Sequence, residues 1–448
     1  MFKFAMFTWI YKLTPPILKT SFIGLAISLL MPAAANASIG AVLNPAMSGV
    51  LARSSNPTTA IAGYGLALSI MLFIGLPQLR TQQLTLVYAE SSDSIKTVGK
   101  FLLLVIATVI LFSFIVIIPS VKDFLLSDIF GVTGILKIHA SQSLPWLLPL
   151  PCLLIIRMYL YGIALKFCNP AIVWAGTIFG AVSVLAIAIY LLMFTEFDGA
   201  VTGAIAMSFG TTSEVLLMFL LTKLFGRTLP NPSINKHVRI KDLVRFFLPM
   251  VFAAFLPSAT LPIINAGLAR TNDPITSIAA VSMASGLFAL LTIPTNGIQN
   301  TSLTLMARGK NLVQIKTFSI GVGLTTMIIT WIFILISPIH NFIISNVMGI
   351  TEELKEETMY GLKILAILPM ALVFEQFYSA HLMHKKNTIP LIYINLWRLG
   401  FLTVWIIGTV YLTQLSGIII GAGAWLLTLG SEALFTWIYA KKESSRNK

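Results

Sequence analysis

Apolar residues run along this chain in long unbroken blocks, not in the alternation of a strand or the single stripe of a surface helix. The stretches from Phe101 to Pro119 and from Ile172 to Phe194 hold no charged residue over the ~20 positions a helix needs to cross the hydrocarbon. Strands of a membrane barrel are shorter and alternate, so the pattern predicts an all-α membrane bundle. Twelve spans follow, at about 17–43, 60–88, 99–119, 140–165, 171–195, 199–224, 244–268, 275–304, 317–339, 358–383, 389–412 and 416–440.

Composition agrees with the pattern. Hydrophobic residues make up 57% of the 448 and charged residues 10%, against about 25% charge in an average soluble domain. The formal net charge of +14 invites nucleic acid as a partner, but its placement points elsewhere. With the N-terminus inside, twenty-one of the thirty Lys and Arg fall on the cytoplasmic side and six fall opposite, while Arg80, Arg157 and Arg398 lie within or at the ends of spans. That asymmetry is the positive-inside rule. It predicts an inner (plasma) membrane protein with both termini cytoplasmic, and no nucleic acid is expected. Cys152 and Cys168 lie in or beside one span and imply no disulfide framework. The start of the chain, with Lys12, Lys19 and Ala35-Asn36-Ala37, resembles a cleaved signal peptide. The same segment has a counterpart in the second half, so it is read as a span.

Sliding the chain against itself by 217 positions sets Pro32 on Pro249, Pro77 on Pro294, and Leu51-Ala52-Arg53 on Leu268-Ala269-Arg270. At 218 positions Pro151 meets Pro369, Gly199 meets Gly417, and Ser213-Glu214 meets Ser431-Glu432. Shared Leu or Ala would mean little here, whereas shared Pro, Gly, Arg and Glu mark an internal repeat. Six spans per half is an even number, which makes the halves parallel. The expected organisation is a six-helix lobe over 1–225, a cytoplasmic linker over 226–242 and a second six-helix lobe over 243–448, around a central cavity that opens to each side in turn.

Ionisable groups at membrane depth are the candidate chemistry, because each costs several kcal/mol unless paired or facing water. Arg157 and Glu375 are repeat equivalents of opposite charge, expected to border the cavity from facing lobes and to pair or to divide substrate and proton between them, with a structural charge pair within a lobe as the competing reading. Arg80 stands in Gln78-x-Arg80-x-Gln82-Gln83 after Pro77, and the counterpart Thr295-Asn296-x-x-Gln299-Asn300 follows Pro294. A proline kinks a helix and frees a carbonyl, so Arg80, Gln82, Asn296 and Gln299 are read as facing a wet cavity; for Arg80, packing against a nearby loop is the competing reading. Arg398 has Gly180 as its counterpart, and an asymmetric charge suggests substrate, although an arginine can also snorkel to a headgroup. Glu214 and Glu432 are a symmetric pair, read as structural or coupling groups. His381 and His384, beside Lys385-Lys386, are read as a solvated helix end. No catalytic triad, nucleotide loop or metal cluster is visible in the sequence, so neither enzyme activity, cofactor nor metal is expected.

Some of these residues also carry a family resemblance. Gly63 to Met71 resembles the start of the second span of progressive ankylosis (Ank) proteins, Leu365 to Thr388 with Pro369, His381-Leu382 and Lys385-Lys386 resembles their tenth, and Gly421 to Tyr439 with Gly430-Ser431-Glu432 resembles their last. Tyr64, Gly65, Ser69, Pro369 and Glu432 match residue by residue. The resemblance implies the multidrug/oligosaccharidyl-lipid/polysaccharide (MOP) exporter superfold and export of small polyanions such as pyrophosphate, nucleotides or citrate-like carboxylates. Three intramembrane arginines favour an anion transporter. A MATE-like cation or drug antiporter would want acids in the first or seventh span, and none occurs from Ile17 to Asn44 or from Leu243 to Ala269. A membrane enzyme would show a catalytic constellation, and a flippase for a lipid-linked substrate would show a more cationic cavity. The expected partners are the bilayer, a small anionic solute and a coupling H+ or Na+ gradient, for a chain acting as a monomer.

Overall fold

The computed structural model describes residues 21–130, 134–167, 170–225, 238–268, 270–342, 344 and 352–446. Lys12, Lys19, Cys168, Ala269 and the 226–237 part of the expected linker lie outside the described residues. Among those described there is no strand.

The first half runs through α1 (Phe22–Leu51), α2 (Pro57–Ile74), α3 (Gln78–Tyr88), α4 (Ser92–Ile117), α5 (Pro119–Asp123), α6 (Gly134–Leu147), α7 (Leu150–Phe167), α8 (Ala171–Phe194) and α9 (Gly199–Phe225). The second half runs through α10 (Ile240–Phe255), α11 (Thr260–Leu268), α12 (Pro274–Leu291), α13 (Ile298–Ala307), α14 (Leu312–Leu335), α15 (Ser337–Asn341), α16 (Glu352–Leu365), α17 (Leu368–His384), α18 (Ile389–Leu412) and α19 (Gly417–Arg446). Seven helices are individually long and apolar enough to cross a bilayer: α4, α7, α8, α9, α14, α18 and α19. Two bent pairs, α12 with α13 at 60° and α16 with α17 at 44°, bring this to nine among the described residues. Their outward faces are apolar, as Leu103, Leu104, Leu111, Phe112 and Phe114 show on α4. An exposed apolar face that large belongs in lipid.

Most of the breaks fall at repeated prolines. The α2–α3 break holds Pro77 and the α12–α13 break holds Pro294, in a 3-10 turn over Ile293–Gly297. Pro151 opens α7 and Pro369 opens α17. Proline lacks an amide hydrogen and its ring clashes with the carbonyl four residues back, so a repeated proline repeats the interruption. The shared arginines also have a local cause. Arg53 donates to the Gly49 carbonyl at 2.6 Å, and Arg270 donates to the Ala266 carbonyl. Each satisfies a carbonyl left open at a helix C-terminus.

The described chain packs as two compact units, Ala35–Phe247 and residues 21–34 together with 248–446. The opening of α1 thus belongs to the second unit and the opening of α10 to the first. In the first unit Met47, Leu51, Ala67, Leu144, Leu150 and Ala204 share one core. In the second, Ile264, Leu268, Ala284, Leu362, Leu368 and Ala422 do so. These are the same positions in the repeat register. The borrowed helix openings obey it too. Phe101 and Phe247 meet edge-on at 5.5 Å in the first unit, and their repeat partners Phe318 and Leu30 share an apolar cluster in the second.

Candidate functional site

Three neighbouring helices bring polar groups together inside the first unit. Arg157 and Tyr161 lie four residues apart on α7 and therefore share a face. Arg157 Nη1 donates to Glu214 Oε2 on α9 at 3.2 Å, and the Tyr161 hydroxyl donates to the other carboxylate oxygen, Oε1. That hydroxyl also lies 2.7 Å from Thr177 Oγ1 on α8. The guanidinium stands 5.8 Å from the Tyr161 ring centroid, within cation–π range. Gly180 on α8 completes the arrangement, because a Cβ there would run into the Glu214 carboxylate. The side chains of Arg157 and Glu214 are 14% and 4% exposed. A lone charge at this burial would be costly; a charge-assisted pair with a second donor on the carboxylate offsets that cost. Arg157 Nε has no hydrogen bond.

The second unit solves the same problem with a different helix. Arg398 on α18 donates Nη1 to Glu432 Oε2 on α19 at 2.7 Å and Nη2 to Thr260 Oγ1 on α11 at 3.0 Å. These two charged side chains are 7% and 11% exposed. Glu214 and Glu432 occupy equivalent places, but the arginine comes from α7 in one unit and α18 in the other. At the place equivalent to Arg157 stands Glu375, whose Oε1 accepts from Ser379 Oγ at 2.7 Å. One reading of the sequence sets Arg157 against Glu375; in the structure the carboxylate that Arg157 binds is Glu214, a charge pair within one unit. The cause is local, since α9 passes beside α7 and Gly180 leaves room for the acid.

The two polar patches differ from each other. Gln82 and Gln83 on α3 are 3% and 4% exposed, and Arg80 is half-buried. α3 lies close against α7, where a Cβ on Gly162 would come within 2.7 Å of Thr85 Cβ. Gln82 is therefore part of a tight helix contact. On the other side Asn296 is exposed and Gln299 half-buried. The Gln299 amide donates to Gln376 Oε1 at 3.1 Å, which ties the start of α13 to α17 beside Glu375. Tyr161, Thr177, Thr260 and Gln376 were not singled out in the sequence; the only signal for Tyr161 was its spacing of four from Arg157. His381 is buried at 8% exposure in the packing of α17, so it is not a solvated helix end. Among the described residues no group of three or more His, Cys, Asp or Glu could hold a metal ion.

No protein-family model matches the sequence, and no curated protein matches it. Solved structures do match. A Vibrio cholerae MATE transporter superposes with a TM-score of 0.76 at 16% identity, over 96% of this chain and 99% of the other. A MOP superfamily transporter from Pyrococcus furiosus superposes with a TM-score of 0.73 at 14% identity, over 96% and 97%. An outward-facing multidrug resistance MATE family transporter gives 0.71 at 14%, over 96% and 98%. The fold is that of MOP superfamily transporters. At such identities the likeness carries the MOP fold alone, and the Ank resemblance continues to rest on the residues quoted for it. For the Pyrococcus MOP protein, a reversed polarity of the binding pocket is held to suggest a different function.

Proposed function

We propose that this protein is a secondary transporter that exports a small polyanion by alternating access, driven by an H+ or Na+ gradient. Pyrophosphate, nucleotides and citrate-like carboxylates are the solutes that the Ank resemblance implies. The observation that carries the reading is Arg157. Only one of its terminal nitrogens, Nη1, reaches Glu214, so the other remains for a second anion. Arg398 has both terminal nitrogens engaged, by Glu432 and Thr260, and serves as a brace within its unit. The Lys and Arg distribution supports an inner-membrane orientation with both termini cytoplasmic.

A second reading is cation or drug antiport of the MATE kind. It is favoured by the MATE neighbours in fold and by the buried carboxylates Glu214 and Glu432, one in each unit among the described residues. Flux into proteoliposomes separates the two. Pyrophosphate, ATP and citrate are offered in parallel with a lipophilic cation, using wild type, Glu214→Gln, and Glu214→Gln with Arg157→Gln. The double variant strands no carboxylate. It should carry the anion roughly tenfold to a hundredfold more slowly than Glu214→Gln, the equivalent of about 1.5–3 kcal/mol for a charged hydrogen bond. Cation flux with no anion flux in wild type would hand the case to the second reading.

A further inference from the structure

Away from the buried ion pairs, a groove of about 810 Å³ runs along the second unit between the opening of α1 and α14. Ile23, Ile27, Leu30, Phe318, Val322 and Ile329 make an apolar bed, while Ser21, Gln314 and Thr317 lie toward one end. From Val313 to Ile329 the helix rises about 24 Å, more than the ~15 Å of hydrocarbon in one leaflet. The groove therefore takes in both a headgroup zone and a full acyl-chain depth.

Its polar end adjoins the turn before α14, which carries Lys310. Lys310 is exposed. No Asp or Glu occurs from Pro294 to Ile329 or from Ser21 to Ala34, so neither segment that lines the groove carries an acid to offset Lys310. Lys316 lies toward α17, its ammonium 5.8 Å from the Tyr378 ring, and takes no part. A cationic polar mouth above an apolar bed of leaflet depth has the two ends of an anionic phospholipid. We propose that this groove binds one anionic phospholipid, with its phosphate against Lys310 and Gln314 and an acyl chain between α1 and α14. Basic recesses between membrane helices recognise acidic headgroups in this way. The proposal does not depend on which solute the protein moves.

Native mass spectrometry of the purified protein tests it, after partial delipidation in an equal mixture of phosphatidylglycerol and phosphatidylcholine. Wild type should retain one phosphatidylglycerol in preference to phosphatidylcholine. Gly321 lines the groove and a Cβ there meets no atom within 4 Å, so Gly321→Trp should fold and lose the retained lipid. Gly400 on α18 is equally open, and Gly400→Trp should keep it. Lys310→Gln should keep a lipid but lower the preference for phosphatidylglycerol about fivefold. Equal retention of the two lipids by wild type, or an unchanged lipid count in Gly321→Trp, overturns the assignment. So does a dimer that Gly321→Trp dissociates, which would give the groove to a second copy of the chain.

Discussion

Removing either member of the Arg398–Glu432 pair should destabilise the second unit far more than removing both. In Glu432→Gln, Arg398 keeps its Thr260 contact but remains a protonated guanidinium with almost no access to solvent. Breaking a buried pair on one side costs about 3–5 kcal/mol. The 2.7 Å bond and the 7% exposure of Arg398 put this case toward the upper end. Arg398→Met removes the cation that faces Glu432 and should cost a similar amount. The combined Arg398→Met/Glu432→Gln variant buries no net charge, and such replacements are often neutral or stabilising. Because the single costs are largely cancelled in the double variant, a double-mutant cycle should return a coupling above about 3 kcal/mol, the upper end of what contacting residues usually show. The same cycle on Arg157 and Glu214 should return about 1–2 kcal/mol, because that bond is 3.2 Å long and Arg157 is 14% exposed. Reversible unfolding in mixed SDS micelles, followed by tryptophan fluorescence, measures all of these. Additive single effects at Arg398 and Glu432, or a larger coupling in the first unit than in the second, would refute the reasoning.

Helix contact and topology give two further expectations. Gly162→Leu should destabilise the α3–α7 contact by about 1–3 kcal/mol through overpacking, since its Cβ would fall 2.7 Å from Thr85; Gly65→Leu, with nothing within 4 Å, should stay within about 0.5 kcal/mol of wild type in the same unfolding assay. Single cysteines at Ser54 and Thr271 should react with an impermeant maleimide in intact cells, and one at Lys310 only after permeabilisation. Labelling of Lys310→Cys in intact cells would reverse the orientation drawn from the positive-inside count.

Much of the fold was legible because lipid imposes a coarse rule. Blocks without charge mark helices, and a proline inside such a block marks a break, as Pro77, Pro151, Pro294 and Pro369 each show. The repeat register, found from rare shared residues, also anticipates the two cores, where Leu51 answers to Leu268 and Leu144 to Leu362. The site was less legible because symmetry says which positions are alike and not which are adjacent. Arg157 and Glu375 are alike in the repeat, and that likeness alone suggests setting one against the other. The carboxylate Arg157 binds is decided by which helix passes beside α7, and that helix is α9 with Glu214. One clue was present: each half carries one shared glutamate, and the Arg398–Gly180 mismatch shows that its cation need not come from an equivalent place. The Gln82 patch misled for another reason. A polar run after a proline reads as wet, yet Gly162 lets α3 approach α7 closely enough to bury it.

The exchange of arginine between helices has a geometric reason and a functional consequence. A glutamate on α9 or α19 can be reached from two neighbours, α7 and α8 in the first unit, and α17 and α18 in the second. Either neighbour can supply the neutralising cation that membrane depth demands. In the second unit it comes from α18, and Thr260 on α11 closes on the far side of the guanidinium. In the first it comes from α7, the α8 position is the side-chain-free Gly180, and only one terminal nitrogen of the guanidinium, Nη1, is engaged. Two units with shared proline breaks, equivalent cores and the same glutamate are thus chemically unequal. Arg398 has both terminal nitrogens engaged and Arg157 one. A transporter built from duplicated halves needs such an inequality if a single solute is to have a single place to sit, and on the proposed reading Arg157 in the first unit provides it.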